Sequence, residues 1–186
     1  MKLEEWYNKG ITAQEYVDVM EVHRENLIHI YENFQLEEKD YELFEKLRSK
    51  ELRVLVLTES WCGDAMLNIP ILLRIAEATN MDVHFLYRDQ NLELMDQYLT
   101  NGKSRSIPIF IFIDKNGREV AVWGPRAKTI QRFINESNAA LPPKEANDFK
   151  EKQQEMFTFL TRAFRENRDF WDEVYSCIRS RLKSIA

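Results

Sequence analysis

Cys62 lies in the run Glu59-Ser60-Trp61-Cys62-Gly63-Asp64-Ala65, between an apolar segment of strand-forming residues and one with helical periodicity. A thiol at such a turn sits near free backbone amides and the positive end of a helix dipole, which favour the thiolate that attacks disulfides. A second cysteine three positions later would make a self-resolving dithiol, but Ala65 stands there. One sulfur leaves monothiol chemistry: attack on a mixed disulfide and release by an external thiol, or oxidation to a sulfenic acid that condenses with a small thiol. Asp64 opposes activation, because a carboxylate within one turn disfavours a second negative charge. The expectation is an accessible, moderately activated nucleophile at Cys62, with Gly63 and the turn amides as its stabilisers. The competing expectation is a cysteine retained without turnover in a binding scaffold.

The remaining reactive residues add little. Cys177 is the second of two cysteines, far from the first, so reduced thiols are expected rather than a disulfide framework. It shares a helical stripe with Val174, Ile178 and Leu182, which core packing explains better than a remote resolving role. His23, His29 and His84 show no i, i+4 pairing and no neighbouring cysteine, so neither a metal site nor another cofactor is expected. A net charge of -5 without a long Lys/Arg cluster argues against a nucleic-acid partner. No basic-then-apolar leader is visible, and no apolar run approaches the ~18 residues of a membrane span. A cytoplasmic protein without a membrane partner is the expectation.

The elements that must position Cys62 follow from periodicity. A length of 186 residues, 44% of them hydrophobic, suits one core. Thr12-Ala13-Gln14-Glu15 fits a capping box and predicts a helix to about Phe34; a shorter one follows over about Glu38 to Lys50. Arg53 to Thr58 reads as a central strand, and Asp64 to Thr79 as a helix interrupted by Pro70. Val83 to Tyr87 reads as a parallel strand, and Leu92 to Leu99 as a helix. Ile109 to Ile113, the turn Asp114-Lys115-Asn116-Gly117 and Glu119 to Trp123 predict a hairpin. Ala127 to Asn138 is an amphipathic helix, Leu141-Pro142-Pro143 marks a boundary, and the last segment is helical with a bend near Asn167.

This order resembles the thioredoxin superfamily across roughly Leu52 to Asn138. Trp61-Cys62-Gly63 follows the first central strand, Pro70 falls eight residues after the cysteine, Ser106-Ile107-Pro108 precedes an apolar strand, and Asp114-Lys115-Asn116-Gly117 and Gly124 match the hairpin. The sequence is most similar to thioredoxin-like proteins of Gram-positive bacteria that carry helical extensions and a Trp-Cys-Gly-Asp-Ala motif.

The resemblance implies a three-layer α/β sandwich with a central mixed sheet. Residues 1–51 would be an N-terminal helical extension, 52–140 the core and 141–186 a C-terminal helical extension. It implies that Ile107-Pro108 is a cis peptide facing Cys62 and exposing the Ile107 backbone to an extended substrate chain; a trans proline starting a strand is the alternative. The family's buried acid, six residues before the cysteine, is replaced by Val56. Its absence matches the loss of the resolving sulfur it would serve.

Two functions follow as expectations. The first is a monothiol thiol-disulfide oxidoreductase acting on protein or small-molecule thiols and disulfides, with Cys62 as nucleophile and Trp61, Gly63, Asp64, Ile107 and Pro108 around the substrate. The second is a non-catalytic module holding an extended peptide in the groove between Trp61 and Pro108. Trp6, Trp123 and Trp171 read as packing residues. The terminal aromatics either bury against the body or form a homodimer contact through the terminal helices.

Overall fold

The computed structural model describes residues 1–186. Its centre is a five-stranded sheet in the order β1-β3-β2-β4-β5: β1 (Ile11–Thr12), β2 (Arg53–Thr58), β3 (Asp82–Tyr87), β4 (Ile109–Ile113) and β5 (Glu119–Trp123). β2 and β3 run parallel with Val56 opposite Phe85, and β2 pairs antiparallel with β4, Leu55 opposite Ile111. Val54 to Thr58 and all of β4 are buried. That is why both read as unbroken apolar runs: helices cover the two faces of the central strands.

The β4–β5 hairpin turns at Asp114, whose carboxylate accepts from the backbone N–H groups of Asn116 and Arg118. Gly124 ends β5 at φ +129, and a Cβ there would meet the Pro108 carbonyl oxygen at 2.3 Å. Only glycine allows that approach. The Ile107–Pro108 and Gly124–Pro125 peptides are cis.

Three segments depart from the periodicity. The helix expected from Thr12 to Phe34 is two helices, α2 (Ala13–Asp18) and α3 (Arg24–Asn33), separated by a turn in which His23 is left-handed. A straight helix of that span would be about 33 Å long. It could not place Tyr16 on Phe85 of the sheet while Leu27 and Ile30 pack in the core beside α5 (Gly63–Thr79). The helix expected over Leu92 to Leu99 stops at Met95, giving a short α6 (Leu92–Met95). Beyond it, Arg105 grips Asp96 and Tyr98 donates to Glu119, tertiary bonds that replace the helical ladder.

The third departure is at the N-terminus, where residues 1–51 are not helical throughout. A helix α1 (Leu3–Lys9) precedes β1, which lies antiparallel on β3. Tyr7 stacks on His84 and Tyr16 on Phe85, neighbours that point to opposite faces of β3. The chain therefore crosses the sheet edge between α1 and α2.

α4 (Tyr41–Arg48), α7 (Lys128–Ala139), α8 (Phe149–Glu166) and α9 (Arg168–Lys183) complete the layers. α8 and α9 part at Asn167, whose side chain accepts from the Asp169 N–H. α9 is anchored by Tyr175 and Arg179, both bonded to the buried Asp40 carboxylate. Trp6, Trp123 and Trp171 are buried against the body of their own chain. No helix is long and apolar enough to cross a membrane.

Candidate functional site

Cys62 is the N-cap of α5, in extended conformation directly after the β2 turn. Its N–H donates to the Glu59 carbonyl at 3.2 Å, and its carbonyl accepts from Met66 at 3.1 Å. These bonds fix the thiol against the loop before β4. Its Sγ–H donates to the Ile107 carbonyl oxygen at 3.7 Å.

Local structure here opposes the expected activation. Cys62 is only 7% exposed, and burial, then the Asp64 carboxylate, push the thiol up to about 11. The backbone N–H groups of Ala65 and Asp64 pull the other way, as a helix start should, and Arg126 helps them. They lose because charging a group under a closed protein surface costs more than two amides return. The expected accessible, moderately activated thiol is thus a buried, neutral one.

Asp64 is not a free neighbour of the thiol. Arg126 donates to its two oxygens at 2.7 and 2.6 Å and reaches Gln131 of α7 with its third nitrogen. Burial raises the Asp64 carboxyl above its ordinary range, and the Arg126 guanidinium offsets only part of that rise. One turn on, Asn68 donates to the Pro125 carbonyl at 3.0 Å. Two side chains of α5 therefore pin the 125–126 loop beside Cys62.

Trp61 is 52% exposed, and the Arg88 guanidinium lies 5.4 Å from its ring centroid. Arg88 is held by the Asp89 carboxylate and the Arg105 carbonyl, so the stacked pair forms a fixed rim. Trp61, Cys62, Gly63, Asp64 and Ile107 line one groove of about 980 Å³. Pro108 does not line it. It is buried, with its carbonyl against Gly124, so it supports the Ile107 carbonyl instead of meeting a ligand.

The opposite wall is α8, through Gln154, Thr158, Thr161 and Arg165. The groove expected between Trp61 and Pro108 is therefore a channel between the Cys62 turn and α8. Sequence reasoning did not assign Arg126, Arg88 or Arg165 to the site. Arg126 follows Gly124-Pro125 with no helical or strand pattern of its own. The α8 residues recur at helical spacing, which reads equally as a solvated face.

Cys177 is not part of this constellation. It accepts from the Trp123 indole N–H at 3.1 Å, and both cysteines are free thiols. His84 stacks on Tyr7, and His29 meets the Trp171 edge. No group of three His, Cys, Asp or Glu side chains is placed to hold a metal ion.

A sequence model described as thioredoxin matches residues 10–141, from the start of β1 to the end of α7, so α8 and α9 lie outside it. No curated protein matches the chain. Among solved structures it is similar to a protein of unknown function from Pseudomonas aeruginosa, at TM-score 0.72 and 14% identity, covering 100% of this chain and 99% of that one. It is also similar to an HIV epitope-scaffold, at TM-score 0.71 and 13% identity, covering 100% of both chains. At such identities the likeness is one of fold.

Proposed function

Because the chain belongs to the thioredoxin family, we propose that it is a binding module of that fold, holding an extended peptide in the groove beside a resting Cys62. One observation carries the reading: the thiol is buried, donates to Ile107 and is pushed up to about 11. At pH 7 about one such thiol in 10⁴ is ionised, against about one in 30 for a free cysteine. A more basic thiolate is more nucleophilic, which recovers about tenfold, so exchange would still run about 20- to 30-fold slower than at a free thiol. The groove, by contrast, is preformed and of ligand size.

The partners in this reading are peptides or proteins in the cytoplasm, and no cofactor is required. Cys62→Ser should leave peptide affinity within about twofold, because the hydroxyl keeps a donor for Ile107. The binding reading is overturned if the wild type turns over a mixed-disulfide substrate, followed by intact mass, and Cys62→Ser does not.

That outcome would support the second reading, monothiol exchange, which the placement of Sγ near the Asp64 and Ala65 amides favours. There the Cys62 thiolate forms a bond to one sulfur of a mixed disulfide while the S–S bond breaks and the other sulfur leaves as a thiolate that takes a proton from water. With Ala65 unable to resolve the product, a second external thiol must free Cys62.

A further inference from the structure

The groove reverses the charge of the chain that forms it. The protein carries a net charge of -5, yet Arg88, Arg126, Arg162 and Arg165 line the groove with only Asp64 and Glu166 as acids. Three of the four arginines are neutralised: Arg88 by Asp89, Arg126 by Asp64 and Arg162 by Glu166. Arg165 is the exception. It has no carboxylate within ion-pair distance, and its Nε is buried without a hydrogen-bond partner. The Nε itself is covered by protein, so the part of Arg165 that a molecule in the groove can meet is the terminal pair of guanidinium nitrogens.

We propose that this groove takes a short acidic peptide in extended form, with Arg165 anchoring one of its carboxylates. The inference rests on the binding reading above and names the ligand class for it. Gln154, Thr158, Thr161 and Arg165 form one stripe of α8. The eleven helical rises from Gln154 to Arg165 make about 16 Å of helix, the length of about five extended residues. The stripe offers hydroxyl and amide groups to a peptide backbone, and the guanidinium fork suits a carboxylate. A neutral Cys62 adds no repulsion, whereas a thiolate in the same groove would oppose an acidic ligand.

The test compares two five-residue peptides, acetyl-Glu-Ala-Glu-Ala-Glu with a free C-terminus and acetyl-Gln-Ala-Gln-Ala-Gln amide. Each is titrated by calorimetry at low salt into the full chain, Arg165→Gln and Arg165→Lys, with circular dichroism to verify folding. The acidic peptide should bind the wild type at least about tenfold more tightly than the neutral one. Arg165→Gln should erase that preference, and Arg165→Lys should keep part of it.

Equal affinity of the wild type for both peptides overturns the acidic specificity and leaves the groove reading standing. A preference that survives in Arg165→Gln overturns the anchor. Failure of both peptides to bind removes this inference and the binding reading together.

Discussion

Arg126 clasps both oxygens of Asp64, at 2.7 and 2.6 Å, in the first turn of the helix that Cys62 begins. The pair holds opposite charges beside one thiol. Asp64 raises the thiol and Arg126 lowers it, so the carboxylate masks a guanidinium that would otherwise favour the thiolate.

Replacing Asp64 with Asn should therefore lower the Cys62 value from about 11. Loss of the negative charge and unmasking of Arg126 act in the same direction, and together should be worth about one unit or more. The pH dependence of alkylation by iodoacetamide reads the shift directly. An unchanged value would assign the elevation to burial alone.

The same elevation makes stability pH-dependent. The folded thiol keeps its proton up to about 11, whereas an unfolded one releases it near 8.5 to 9. The contribution is fully present below the unfolded value and is lost as pH rises through the folded one. Between about pH 9 and 11 the wild type should lose about 3 kcal/mol relative to Cys62→Ser. Urea denaturation of both proteins across that window measures the difference, and other titrating groups cancel because the proteins share them. Parallel curves would refute a buried neutral thiol.

Gly124→Ala should destabilise by about 2–3 kcal/mol, since it combines a positive φ with a blocked Cβ. The clash falls on the Pro108 carbonyl, and the preceding residue, Ile107, accepts from Cys62, so the groove should loosen as well. Denaturant midpoints check the first effect. Faster alkylation of Cys62 in native buffer checks the second, and a stable variant with a shielded thiol would count against this coupling.

Much of this architecture was legible in the sequence wherever a local pattern had only one use. The apolar runs of β2 and β4, the Asp114 turn and the parallel return of β3 each follow from residues that pack or bond close to where they stand. The split between α2 and α3 was not legible, because Tyr16 and Leu27 satisfy one helical period while serving different neighbours in space.

The site divides the same way. The place of Cys62 before a helix could be read from its flanks, but its burial could not. That depends on Ile107 and the 125–126 loop, more than forty residues later in the chain. Periodicity likewise presented the polar stripe of α8 as surface, since nothing local reveals that a second wall faces it.

The two residues of β1 have a consequence out of proportion to their number. They pair with His84 and Phe85, where β3 would otherwise be the last strand on its side of the sheet. An open strand edge is a template for another chain, and natural sheets shield such edges. Here the shield is a passing segment, with Tyr7 and Tyr16 gripping β3 from above and below like the two jaws of a clip. The first sixteen residues therefore cover part of the β3 edge, a task separate from anything the groove does.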